Sequence, residues 1–93
     1  MYAVVRRYRN AMSLFDELAR REQDVREVIQ GTPGFVSYYL VRSADGGATI
    51  TVCQDQAGTA ESTRRAADWV RRNVPDAAGS PPEVTEGEVV FSF

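Results

Sequence analysis

The chain has no histidine and a single cysteine, Cys53. Without a second thiol or any imidazole, neither an intrachain disulfide nor a structural zinc site can be assembled. Lysine is also missing, so all 11 basic residues are arginine. Against 13 acidic residues they leave a net charge of -2 and a pI near 5.0. The basic excess that neutralises nucleic-acid phosphates is absent, and nucleic acid is not an expected partner. No apolar run approaches the roughly 20 residues needed to span a bilayer. Met1 leads into a strand-like segment with no charged leader, long apolar stretch or cleavage site. The expectation is a reduced, cytoplasmic protein with no membrane contact and no bound metal. A Gly-rich phosphate loop, a Ser-His-Asp set and paired catalytic carboxylates are all missing too.

What is present reads as one small α+β domain. At 93 residues the chain buries only roughly 60–65% of the surface its unfolded form exposes, and oligomerisation is a common remedy. Arginine-only usage with many Ala, Val and Gly residues fits a GC-rich bacterial genome. Residues 2–8 (YAVVRRY) are rich in β-branched and aromatic side chains, the signature of a strand. Asn10 then offers a helix N-cap, with Ser13 as competitor. Up to Gln30, Ala11, Leu14, Phe15, Leu18, Val25, Val28 and Ile29 fall on one arc of roughly 140°. Gly31 is the expected left-handed residue after this helix, and Pro33 blocks its continuation.

Residues 35–42 and 48–54 form two further strands around SADGG, where Asp45-Gly46 is a hairpin signal. A two-residue turn at Asp45-Gly46 puts Tyr39 and Val52 on one face, whereas a three- or five-residue loop pairs Tyr38 with Val52. A one-residue slip exchanges the faces, and the sequence leaves the register open. A second helix is expected from Thr59 as N-cap to Val74, with Ala60, Thr63, Ala67, Val70 and Val74 facing inward. A loop over residues 76–82 leads to a last strand within residues 84–93, most convincing from Glu88 onward. The order β-α-β-β-α-β favours a ferredoxin-like four-stranded antiparallel sheet with the helices on one face.

The segment GFVSYYLV, residues 34–41, is apolar on both faces of its strand. Helices on one side of the sheet cover only one of those faces. Each candidate outer face keeps several apolar side chains, where an open antiparallel sheet normally turns polar. Burying even ~600 Å² of apolar surface at ~25 cal/mol per Å² is worth about 15 kcal/mol before association costs. The expected partner is a second copy of the chain, docked sheet against sheet.

With PGFVSYYLVR at 33–42, a short Asp-Gly hairpin, a strand ending in CQD and a helix reading ESTRRAADWVRRNVP at 61–75, the chain resembles the antibiotic biosynthesis monooxygenase-like domain. The resemblance covers nearly the whole chain and implies the dimeric α/β-barrel fold. It also implies a ligand cavity between each protomer's sheet and its helices. The family includes cofactor-independent quinol or anthrone monooxygenases and haem-degrading enzymes that ligate iron through histidine. The missing histidine argues against the haem branch, and it removes the commonest general base at neutral pH. No cofactor is therefore expected. The resemblance points to Asn10, Tyr38, Tyr39, Arg42 and Trp69 as ligand-binding candidates. Trp69, about 130° from the centre of the inward stripe, has an indole N–H to offer a substrate oxygen. One of the two tyrosines lies under the helices, and Arg42 at the strand end could stabilise an enolate or phenolate. Each has a plainer role as well: capping for Asn10, packing for the aromatic residues. Of the adjacent pair Arg6 and Arg7, one must point to each side of the sheet, so one lines the cavity or meets a carboxylate across the interface. Glu61–Arg65 and Asp68–Arg72 form a solvated ladder along the helix. The functional expectation is cofactor-independent oxygenation of a small phenolic or quinol-type molecule. The alternative is a non-catalytic dimeric ligand-binding or interaction module.

Overall fold

A computed structural model describes residues 1–77 and 80–93, and the expected loop at 76–82 falls partly outside them. The elements run β1 (Tyr2–Arg9), α1 (Met12–Arg20), α2 (Glu22–Gln30), β2 (Phe35–Ser43), β3 (Gly46–Cys53), α3 (Gln56–Asn73) and β4 (Glu83–Glu88). A 3-10 turn, Pro75–Ala77, follows α3. The four strands form one antiparallel sheet in the order β2-β3-β1-β4, the ferredoxin-like arrangement read from the sequence. The helices cover the face carrying Val4, Arg6, Tyr38, Leu40, Thr49 and Thr51. Ala11, Leu14, Phe15, Leu18 and Val74 form the buried core cluster.

The first helical stretch is two helices, not one. Arg21, at φ −111° and ψ 40°, breaks the ladder, and its N–H is shared between the carbonyls of Glu17 and Leu18. Neither Gly nor Pro stands there, so the kink is imposed by packing rather than by local sequence. Asn10 caps nothing: it sits in the left-handed region at φ 53° just before the true N-cap, Ala11, which makes no side-chain capping bond. Gly31 is right-handed at φ −73°, contrary to expectation. Its missing side chain serves a close approach instead, because a Cβ there would meet the Arg65 guanidinium at 3.0 Å. The left-handed residue is Gly34, at φ 72°. With Pro33 before it and a Phe35 N–H to Thr32 carbonyl bond across it, the segment is a type II turn.

The hairpin turns at Ala44-Asp45, one residue earlier than the Asp-Gly signal suggested, with Ser43 opposite Gly46. Tyr39 then faces Ile50, and Tyr38 faces Thr51. Tyr38 therefore lies beneath the helices, and Tyr39 is 59% exposed on the outer face. Gly47 is where Phe15 seats, since a Cβ there would be 2.6 Å from the Phe15 ring.

The last strand pairs Glu83–Glu88 with Arg7–Tyr2 rather than using the more apolar residues beyond Glu88. The Val89 N–H to Met1 carbonyl bond, at 2.9 Å, is the last rung. Phe91 and Phe93 stack on each other at 6.3 Å and stay exposed.

Candidate functional site

Strand alternation sends Arg6 into the layer between sheet and helices, directly opposite Thr49 and beside Thr51. Arg6 is 1% exposed. Its Nε donates to Thr49 Oγ1 at 3.0 Å and Nη2 to Thr51 Oγ1 at 2.7 Å. From α3 above, Thr63 Oγ1 accepts from Nη1 at 2.7 Å and Ser62 Oγ at 3.4 Å. Four neutral hydroxyls thus solvate a buried cation, and among the described residues no carboxylate forms an ion pair with it. The acid that contributes to its surroundings, Glu86 on β4, accepts from Thr59 Oγ1 at 2.8 Å.

This cage explains how α3 is rotated. The expected inward residues Ala60 and Ala67 are exposed, while Gly58, Thr59 and Ser62 are buried. A guanidinium left without hydrogen bonds in the interior costs far more than two alanine methyl groups left in water. The hydroxyl face of the helix therefore turns inward. The true N-cap is Asp55, accepting from the Gly58 N–H at 3.1 Å, and Thr59 is the fourth helical residue. At Gly58 the helix nearly touches the sheet: a Cβ there would be 2.6 Å from the Pro33 carbonyl and 2.7 Å from Cys53 Cβ.

The same rotation brings Trp69 inward, half-buried against the core cluster, with the Arg21 guanidinium 5.9 Å from its ring centre. Three spaces adjoin one another under the helices. The largest, about 510 Å³, lies between α1–α2 and β2 and is walled by Leu18, Val25, Ile29, Phe35, Tyr38 and Leu40. A narrow one of about 30 Å³ beside Trp69 shares Leu18, Val25, Ile29 and Tyr38 with it. The third, about 330 Å³, lies between the C-terminal half of α3 and Pro81–Pro82. It reaches Arg6, Thr63 and Arg71, and shares Tyr8 and Val70 with the narrow space. Mostly apolar concavities of this size with a few polar groups are typical small-molecule sites.

Burial governs the titratable groups here. It pushes the Tyr38 phenol up to about 12, against an opposing pull from Arg6, and likewise raises Tyr8. Burial pulls the Arg6 guanidinium below its ordinary value. Arginine nevertheless remains a cation at any physiological pH, and Tyr38 remains a neutral hydrogen-bonding phenol.

Of the sequence candidates, the fold brings Tyr38 and Trp69 together on the narrow space. Asn10 is exposed in the β1–α1 turn, and Tyr39 faces away from the helices. Arg42 is exposed and paired with Asp16 at 3.1 Å. For Arg6 the sequence leaves a choice between cavity and interface. The signal that singles it out is the alternation TIT at 49–51 together with Ser62-Thr63, hydroxyls matched to a strand arginine. The helix ladder is as read: Glu61 pairs with Arg64 and Arg65, and Asp68 with Arg71 and Arg72.

Comparison by sequence finds no matching family model and no matching curated protein. Comparison by structure does find relatives in fold. A protein of unknown function from Nitrosomonas europaea superposes with a TM-score of 0.76 at 16% identity, over 99% of this chain and 91% of its own. A putative antibiotic biosynthesis monooxygenase from Bordetella bronchiseptica superposes at 0.73 with 15% identity, over 97% of each chain. A Streptomyces coelicolor monooxygenase, solved in complex with nanaomycin D, gives 0.55 at 22% identity over 98% and 91%. The resemblance read from the sequence is thus carried by the fold. With no imidazole in the chain, Cys53 buried beside Gly58 and Tyr38 a neutral phenol, the cavity offers no fitting axial ligand for a haem iron.

Proposed function

We propose that the protein binds a small, flat aromatic molecule of the phenol or quinol class between its sheet and its helices. The observation that carries this reading is the apolar space of about 510 Å³ that opens onto Tyr38 and, through the narrow gap, Trp69. The monooxygenase folds similar to this one, including the nanaomycin D complex, support the same class of ligand. In the catalytic form of the proposal the reaction is cofactor-independent oxygenation. An activated ring CH2 and O2 give a ring C=O and water, the substrate itself supplying the electrons. Tyr38 would donate its hydroxyl to a ring oxygen, and Trp69 would wall the site. A second reading, non-catalytic binding, draws on the absence of histidine and on Tyr38 staying protonated, which leave the cavity poor in bases near neutral pH.

The active unit is proposed to be a homodimer. The outer sheet face carries Tyr39 (59% exposed) and Val41 (50%) beside half-buried Val5, Ile50 and Val52, an apolar surface suited to a second copy.

The chain has one tryptophan, so its fluorescence reports on this site alone. Titration with 1,4-naphthoquinone is expected to quench Trp69 saturably, and oxygen uptake with the corresponding quinol or an anthrone separates catalysis from binding. Failure of every such ligand to saturate the signal overturns the binding proposal. Binding without oxygen uptake favours the non-catalytic reading.

A further inference from the structure

We infer that Arg6 is the counter-charge for an anionic ligand: the space under α3 takes an aromatic molecule ionised at a phenol or enol oxygen, with that oxygen seated against the Arg6 guanidinium. The inference rests on the proposed aromatic-binding reading, extends it past the narrow gap beside Trp69 to the adjoining space of about 330 Å³, and gives the ligand a charge.

The argument begins with a missing partner. Burying a cation is costly, and proteins normally offset it with a carboxylate or bound anion. Arg6 is fully buried, yet among the described residues no carboxylate lies within ion-pair distance. The titratable groups around it are Tyr8, Tyr38, Cys53 and Glu86. The two tyrosines and Cys53 are all held toward their neutral forms by burial, and the exposed Glu86 is engaged with Thr59. Hydroxyl groups satisfy the hydrogen bonds of the guanidinium but leave its charge unneutralised. A guanidinium has five N–H donors, and the four bonds to hydroxyls leave one of them free.

The second strand of the argument is where the charge looks out. Arg6 and Thr63 both border the space of about 330 Å³, with Tyr8 on its wall and Arg71 near its mouth. Thr63 Oγ1 accepts from Arg6 at 2.7 Å, so its own proton remains for a second acceptor. A cation-polarised hydroxyl on the wall of a space that the guanidinium also borders is a suitable donor for one anionic oxygen. The third strand is the absence of a base. A site without histidine, whose buried tyrosine stays protonated, binds its ligand more readily if the proton has already been left in solvent. Arg42, the arginine the sequence offered for this task, is committed to Asp16 at the surface.

The test compares two ligands of one frame. 2-Hydroxy-1,4-naphthoquinone is an anion at neutral pH, and 1,4-naphthoquinone is not. Both are titrated into wild type, Arg6→Gln, Arg6→Lys and Thr63→Val, following Trp69 fluorescence and the visible band of the bound hydroxyquinone. The anion is expected to bind wild type at least ten-fold more tightly than the neutral frame. Arg6→Gln should abolish that preference, Arg6→Lys should restore part of it, and Thr63→Val should reduce it several-fold. Equal binding of the two ligands by wild type, or an undiminished preference in Arg6→Gln, overturns the inference while leaving the binding site intact. Binding of neither ligand overturns the inference and the aromatic-site proposal together. If Arg6→Gln fails to fold, an undiminished preference in Thr63→Val overturns the inference.

Discussion

Replacing Trp69 by alanine tests the rotation of α3 directly. On the helical wheel of the isolated sequence Trp69 points toward solvent, and surface substitutions usually shift stability by no more than about 0.5 kcal/mol. In the structure the indole is half-buried among Leu18, Val25, Ile29 and Val70. Truncating a fully buried tryptophan costs about 3–5 kcal/mol, and half-burial scales this to about 1.5–2.5 kcal/mol. Losing the Arg21 guanidinium from the ring face, 5.9 Å from its centre, adds about 0.5–1 kcal/mol. The expected total is about 3 kcal/mol, a fall in Tm of about 12–24 °C for a domain of this size. Thermal and urea unfolding followed by far-UV circular dichroism measure it without the lost fluorophore. Trp69→Phe should recover more than half of the loss. A cost below about 1 kcal/mol for Trp69→Ala refutes the inward placement, and with it the argument that a buried arginine turns the helix.

Other consequences are open to measurement. Tyr38 is held protonated to about 12 in the fold against an ordinary 10.0. Its contribution is therefore intact below pH 10 and lost as pH rises from there to about 12, where the unfolded chain ionises first. Alkaline unfolding should be shallower in Tyr38→Phe, and an unchanged profile contradicts the burial. Gly34→Ala should cost about 1 kcal/mol, because φ 72° is left-handed. Gly87→Ala, in an exposed strand with open space around its Cα, should be neutral or stabilise by up to about 1 kcal/mol; equal effects in denaturant titrations count against the type II turn. Sedimentation at low micromolar concentration is expected to give twice 10.3 kDa, and Tyr39→Asp should shift it toward the monomer. A wild-type monomer removes the proposed interface.

The order of strands and helical stretches is legible in the sequence, save for the break at Arg21, because strand and helix periods and the stops at Pro33 and Pro75 are local properties. The sequence also determined the buried stripe of the first helices, where Leu14, Phe15, Leu18 and Ile29 differ sharply in polarity from their neighbours. The charge ladder on α3 was legible for the same reason: residues three and four apart in a helix meet whatever the tertiary structure does. Only the tertiary structure decided which way α3 faces. Its candidate inner residues, Ala, Thr and Ser, differ too little in hydrophobicity to fix a rotation, and Arg6 on a distant strand settles it through hydroxyl bonds. Only the tertiary structure decided that Tyr38, not Tyr39, lies under the helices, since a hairpin loop longer or shorter by one residue would have exchanged them. It also set the last strand at Glu83–Glu88, paired with Arg7–Tyr2. A lone mid-strand arginine carries no mark in sequence of whether it will meet solvent, a carboxylate or a cage of hydroxyls. That depends on which side chains 43 to 57 residues away in the chain are folded over it.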